Sequence, residues 1–218
     1  MGLNKATGNM YGFITHTFNT VKGACPHDCT FCYMKRWGHL KPVRFDEKEL
    51  KTDLGSGNSI FIGSSCDMFA KEIPEDWIIK TIDHCFKYEN ENNFLFQTKN
   101  PKNIRRIFPS KTTICVSLES NRHYKDILRN SPSPMERVEQ MQLIRQPLFI
   151  TVEPVLKFDT KELVEMIKSC NPVQVNIGSD SQRHNLPEPT KEELTELISE
   201  LEKFTRVIQK PNLKRILK

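Results

Sequence analysis

The 218-residue chain lacks any long apolar run, and nothing in it approaches the ~20 residues that a helix needs to cross a bilayer. A helical membrane protein is therefore excluded, and no membrane partner is expected. The opening stretch, MGLNKATGNMYG, has no apolar core of signal-peptide length, and Ala6 stands where an N-myristoylation pattern needs Ser or Thr. A cytoplasmic location is the expectation. Pro/Gly-rich linkers, internal repeats and low-complexity tracts are also missing. A chain of this length suits a single domain over 1–218, with a core from about 12 to 209 and a short basic C-terminal tail. The formal net charge of +5 is too small to argue by itself for a polyanionic partner.

An even-numbered cysteine framework is lacking as well. The seven cysteines favour metal binding or free thiols over disulfides in a reducing compartment. Four are scattered (Cys66, Cys85, Cys115, Cys170), and three crowd into CPHDCTFC at residues 25–32, with Cys25, Cys29 and Cys32 at C-x3-C-x2-C spacing. An electron-transfer ferredoxin needs a fourth nearby cysteine, and structural zinc needs four ligands, for which His27 inside the loop is poorly placed. Three thiolates on one tight loop can hold three corners of a cubic iron–sulfur cluster and leave the fourth iron open to a small molecule. No second cysteine cluster exists, which disfavours chemistry that depends on auxiliary clusters.

Around this loop, short β-branched or aromatic runs alternate with amphipathic stretches. The pattern predicts strands at Gly12–Phe18, Ser59–Gly63, Phe94–Thr98, Thr113–Leu118, Leu148–Val152 and Val173–Ile177, with a last piece at Thr205–Gln209. It predicts a helix at Pro74–Tyr88 with Ile78, Ile82 and Cys85 inward, and a capping box at Ser133–Glu136 opening a helix that buries Val138 and Met141. Thr160 is expected to cap a helix that carries Leu163, Val164 and Ile167 inward. Thr190 with Glu193 caps another, with Leu194, Leu197, Ile198 and Leu201 inward. A further helix is expected after Lys99, carrying Lys102, Arg105 and Arg106. Strand–helix alternation implies an α/β fold with a parallel sheet, either an open barrel or a doubly wound sheet.

The cysteine spacing after the first strand, with Phe31 before the last cysteine, resembles the radical S-adenosylmethionine (radical SAM) superfamily. Taken with GSSCDMFAKEIP, QTKNP and LES, it resembles a small branch related to spore photoproduct lyase and to uncharacterised phage and bacterial proteins. The resemblance implies a partial (β/α)6 barrel, with a [4Fe–4S] cluster on Cys25, Cys29 and Cys32 and S-adenosyl-L-methionine chelated on the open iron. It also implies a one-electron reductant of the flavodoxin or ferredoxin type. Phe31 matches the family position that lies against adenine. Ser64, Ser65 and Asp67 occupy the corner that usually reads Gly-Gly-Glu and meets the methionine ammonium, a departure from the family pattern. Lys99 matches a lysine that faces the SAM carboxylate, and Gly178 the Gly-rich corner near adenine, with Asn176 and Asp180 beside it.

Cys115, Ser117 and Glu119 alternate onto one face of the fourth strand, and polar groups at a strand's end are expensive to bury without ligands. Ser117, Glu119 and Asn121 are therefore candidate cofactor contacts, with Arg122 beside them. Glu153, closing an almost wholly apolar strand, is a candidate for meeting substrate. Cys66, beside the methionine corner, is a candidate hydrogen donor or else a small core residue.

For substrate, the resemblance hints at a nucleotide or nucleic acid. Basic segments at Lys99–Arg106, Arg122–Arg129 and the tail from Lys210 would supply phosphate contacts, with Tyr124 and Phe158 as the only loop aromatics for base stacking. Two alternatives stand beside this: modification of a peptide or protein side chain, and a catalytically silent protein that binds a cluster and SAM.

Overall fold

The computed structural model describes residues 3–104 and 106–218. Arg105, and with it part of the first basic segment, lies outside the described residues. The strands of the main sheet are β1 (Asn4–Lys5), β2 (His16–Phe18), β5 (Ser59–Ile62), β6 (Asn93–Thr98), β7 (Thr112–Ser117), β8 (Leu148–Val152), β9 (Gln174–Ile177) and β10 (Arg206–Gln209). They form one eight-stranded sheet in the order β1-β2-β5-β6-β7-β8-β9-β10, while β3 (Val21–Lys22) and β4 (Arg44–Phe45) pair as a small separate ribbon. Every neighbouring pair in the large sheet is parallel except β1 with β2.

The order settles a choice that periodicity left open. A doubly wound sheet reverses direction at a switch point. Here each new strand adds to the same edge, as in the winding of a barrel. All the parallel strands consequently end at one mouth, and the loops that follow Phe18, Ile62, Thr98, Ser117, Val152, Ile177 and Gln209 meet there.

The longer helices α1 (Glu75–Phe86), α3 (Pro134–Met141), α4 (Thr160–Ser169) and α5 (Lys191–Glu202) cover the outer face. Both expected capping boxes form: the Ser133 and Thr190 hydroxyls accept from the amides of Glu136 and Glu193, and each glutamate returns the bond. Ile78, Ile82, Val138, Leu163, Ile167, Leu194 and Leu201 join Ile60, Ile62, Phe94, Phe96, Ile114, Val116, Ile150 and Val152 in one core. The inward face of the strands packs instead on the N-terminal segment, where Tyr11 and Ile14 cluster with Phe61, Leu95 and Cys115.

Some expectations need correction. The strand expected at Gly12–Phe18 is β2 and begins only at His16, because the chain turns between Tyr11 and Ile14, whose amide donates to the Tyr11 carbonyl at 2.9 Å. The helix expected after Lys99 is a single 3-10 turn at Pro101–Asn103. The cap of α4 is Asp159 rather than Thr160, whose hydroxyl donates to Glu196 at 3.2 Å. Phe158 is buried in the core and offers no surface for stacking. Among the described residues no helix is long and apolar enough to cross a membrane.

Candidate active site at the strand ends

The cysteine loop leaves the mouth directly after β3, and its conformation is set from both sides. Gly23 adopts φ +107°, and a Cβ there would stand 2.5 Å from the Pro42 carbonyl oxygen, so only glycine fits. On the other side the short helix α2 (Lys125–Leu128) and the turn after it clasp the loop. The Thr30 amide donates to Ile127 at 3.0 Å, the Asn130 amide to His27 at 3.2 Å, and the Asn130 side chain to Pro26 at 2.9 Å. Asp28 pairs with Arg129 and with Lys35.

All three loop cysteines are free thiols, Cys29 buried and Cys25 and Cys32 half-buried. A hydrogen bond from the Cys66 side chain lowers the Cys25 pKa and correspondingly raises that of Cys66. Burial raises Cys29 and Cys32. Cys29 Sγ also lies 3.5 Å from the Ser131 hydroxyl. Among the described residues no three His, Cys, Asp or Glu side chains converge on one point as a single metal ion requires. The cysteines of a cubane each bind a different iron, so they must stand around a cube. Three unbridged thiols on one loop, one inclined toward the thiolate, fit that donor set.

Asp67 ties this loop to the next strand ends. Its carboxylate accepts from His27 Nε2 at 2.8 Å, the Thr98 hydroxyl at 2.9 Å, and the amides of Lys99 and Phe69 at 2.8 and 2.9 Å. Burial opposes both charges. The mutual hydrogen bond and attraction nonetheless raise the His27 pKa and lower that of Asp67. Ser64 and Ser65 turn their hydroxyls to Asn19 Oδ1, at 3.2 and 3.1 Å, and the Ser65 amide donates to the same oxygen at 2.9 Å. Gly63, at φ +77°, makes this corner possible.

Lys99 is not a solvated lysine. Its ammonium pairs with Glu119 and lies 5.4 Å from the centre of the Phe31 ring, so Lys99 links the cysteine loop to β7. Glu119 is fully buried between Lys99 and Arg137, whose Nη1 donates to it at 2.8 Å and to the Ser117 carbonyl at 2.9 Å. Burial alone would raise the Glu119 pKa; the two cations hold it down at about 2. The Ser117 hydroxyl accepts from Gln97 at 3.1 Å, and Gln97 accepts from the Tyr11 hydroxyl at 2.8 Å.

Across the mouth, Glu153 accepts from Lys210 Nζ at 2.7 Å, Asn9 at 2.8 Å and Asn212 at 3.1 Å. Gly178 makes room for it: a Cβ there would lie 2.5 Å from Glu153 Oε1. On β9 Asn176 accepts from Gln174 at 2.8 Å, while its own Nδ2 is buried without a partner among the described residues. The structure thus gathers Cys25, Cys29, Cys32, Phe31, Cys66, Asp67, Lys99 and Glu119 into one connected group. Ser64 and Ser65 lie at its edge, and Glu153 and Gly178 lie across the mouth. Asn121 stands apart, bonded to Glu162 at 2.7 Å and to Asp159, and Arg122 pairs with Asp159 as well. Asp180 closes its own turn on His184 Nδ1 at 2.8 Å.

Sequence reasoning passed over Asn19, Tyr11 and Arg137, and it read Lys210 as a phosphate contact in the basic tail, whereas the structure pairs it with Glu153. Of the three passed over only Arg137 had a readable signal, because it shares the apolar helix face of Pro134, Val138 and Met141. A surface hollow of about 650 Å³ beside Val43, Phe45, Asp46 and Trp77 contains no member of the strand-end group.

At the level of sequence, neither a family model nor a curated protein matches this chain. Solved structures do. A tyrosine-to-phenylalanine mutant of spore photoproduct lyase matches 95% of this chain and 80% of its own, with a TM-score of 0.65 at 12% identity. SuiB of Streptococcus suis, in its crystal structure bound to S-adenosylmethionine, matches 89% of this chain and 50% of its own, with a TM-score of 0.57 at 9% identity. At such identities the likeness is one of fold, and the open, sequentially wound barrel expected from the cysteine loop is the fold this chain has.

Proposed function

We propose that the chain is a radical SAM enzyme in which Cys25, Cys29 and Cys32 hold a [4Fe–4S] cluster. The observation that carries this is the position of three free thiols on one loop at the mouth of a sequentially wound parallel barrel, beside a buried, charge-balanced set of strand-end residues. A cluster of this kind supplies, when bound, one electron to the sulfonium of SAM and so starts hydrogen abstraction from a substrate.

The chain's own groups orient and enclose. His27 and Asp67 fix the cysteine loop against β6, and the Lys99–Glu119–Arg137 set fixes β6 against β7 and α3. Phe31, held under the Lys99 ammonium, presents an aromatic surface inside the mouth. Tyr11, Ile14, Phe61 and Leu95 fill the inner face and keep water from it. Cys66 lies near enough to Cys25 to lower that thiol's pKa, which makes it a companion of the cysteine loop.

A nucleotide or nucleic-acid substrate is the reading favoured by the likeness to spore photoproduct lyase. The basic segments expected to supply phosphate contacts lend it little. Arg106 pairs with Glu75, Arg122 with Asp159, Arg129 with Asp28, Lys210 with Glu153 and Arg215 with Glu188. The decisive experiment is anaerobic reconstitution with iron and sulfide, followed by dithionite and SAM. 5′-Deoxyadenosine is expected; a cluster-loaded sample that forms none would overturn the proposal and leave a silent binding protein.

A further inference from the structure

Residues 29–45, CTFCYMKRWGHLKPVRF, contain Lys35, Arg36, Lys41 and Arg44 and no Asp or Glu, in a chain whose whole excess is +5. They begin on the cysteine loop itself. The Lys35 amide donates to the Cys32 carbonyl at 2.9 Å, and a 3-10 helix at Tyr33–Trp37 follows with no buried residue. The return leg is pinned to the base of the same loop, where the Ala24 amide donates to the Lys41 carbonyl at 2.8 Å. Trp37 is 67% and Tyr33 41% exposed, and the Arg36 guanidinium lies over both rings, 4.8 and 5.9 Å from their centres.

Among the described residues neither Arg36 nor Lys41 has an ion-pair partner. Arg44 has none within pairing distance, although the Asp46 carboxylate feels its charge, and Lys35 is held by Asp28. Elsewhere on the mouth the basic side chains are largely matched by carboxylates. The unmatched positive charge and the exposed aromatics therefore coincide on the solvent side of the last cysteine.

We infer that this strip is the docking surface for an acidic one-electron carrier protein. The inference rests on the proposed radical SAM reading, which needs an electron from outside. Trp, Tyr and Arg are the side chains enriched at protein interfaces, and complementary charge raises the rate of encounter. A single-stranded nucleic acid also meets basic, aromatic surfaces. Position decides between them: a substrate must reach the strand ends, whereas an electron donor must reach the cysteines. Beyond Tyr33, which donates to the Ser64 carbonyl at 2.7 Å, no side chain of the strip hydrogen-bonds a strand-end residue among the described residues. The transfer is balanced and simple. A flavin hydroquinone loses one electron, the cluster gains it, and no bond forms or breaks.

The test compares the wild-type chain with an Arg36→Glu/Lys41→Glu/Arg44→Glu variant, both reconstituted and anaerobic. Reduction is followed by bleaching of the cluster's visible absorption, with either an acidic flavodoxin hydroquinone or dithionite as donor. Reduction by flavodoxin at low salt should slow roughly tenfold or more, the loss shrinking at high salt, while dithionite reduces both proteins alike. Titration of cluster-free protein with flavodoxin should show the same weakening, so docking is read even if no 5′-deoxyadenosine ever forms. Should the triple variant lose its cluster, Lys41→Glu alone, an exposed side chain with no ion-pair partner among the described residues, should shift affinity and rate in the same direction. Unchanged rate and affinity in a loaded variant would overturn the inference. So would intact flavodoxin reduction accompanied by weakened binding of a single-stranded oligonucleotide, which would assign the strip to nucleic acid.

Discussion

On β7, Ile114, Val116 and, just beyond it, Leu118 face the helices and lie in a continuous apolar core, while Cys115, Ser117 and Glu119 face the interior of the barrel. The outer face is held by burial, which is non-directional and tolerant of shape-conserving change. The inner face is held by named partners: Gln97 to Ser117, Arg137 and Lys99 to Glu119, Lys210 to Glu153. Each of these groups is completed by another distant in sequence. A chain that needed only to fold would have no reason to bury so many polar groups at one end of its strands. The difference between the faces is the physical reason for proposing the site at the mouth.

Cysteines supply the largest contrast between the regions. Cys29→Ala, in the loop at the mouth, should abolish the cluster's visible absorption and paramagnetic signal after reconstitution. Cys170→Ala, at the end of α4 in the outer core, should leave both intact. Equal loss in the two variants would contradict the ligand assignment.

Next in size is Arg137→Met. It removes a fully buried guanidinium and leaves Glu119 with Lys99 alone, at a cost of about 3–5 kcal/mol in denaturant unfolding of the cluster-free protein. Arg122→Ala breaks an exposed pair and should not move the midpoint measurably. The same carboxylate sets a pH dependence. Its folded pKa of about 2 lies below the ordinary value of 4.5, so its contribution is complete above about pH 4.5 and is lost as pH falls toward 2. Glu119→Gln should flatten that part of the acid-unfolding curve; an unchanged slope would mean that the carboxylate is not held by its cations.

Across the mouth, Gly178→Ala places a methyl group against the Glu153 carboxylate and should cost about 1–3 kcal/mol. Glu153→Ala in the same chain should recover much of that loss, since the clash disappears with the side chain. Two independent, additive losses would show that the close approach is not what keeps glycine at 178.

How much of this was legible in the sequence follows the same division. Leu148–Val152 was read to the residue and both capping boxes were read in full, because alternation and caps are local signals. The core-facing residues of α1 and α5 followed from the helical period for the same reason. The expected helix after Lys99 failed where Asn100-Pro101 starts a tight turn that basic side chains do not reveal. The inner face gave up its residue types but not its contacts. Lys99 and Glu119 were each read as reaching for a cofactor, and their mutual pairing depends on strands whose register no local pattern encodes. Tyr11 and Lys210 come from opposite ends of the chain and meet at 4.8 Å only because the barrel brings both to its inner face.

The finest test uses two hydroxyls on one strand. Thr112 lies at the start of β7, buried, with no hydrogen-bond partner for its Oγ1 among the described residues, while Ser117 at the end of the same strand accepts from Gln97. Thr112→Val keeps the shape and removes a polar atom that nothing satisfies, so it should raise stability by up to about 1 kcal/mol. Ser117→Ala leaves the Gln97 amide short of its acceptor and should lower stability by about 1 kcal/mol. Chemically similar deletions a few residues apart are thus expected to carry opposite signs in one urea titration series. If both destabilise, Thr112 has a partner on the helix side, and the contrast between a partnered hydroxyl at the mouth and an orphaned one at the strand's start fails at that residue.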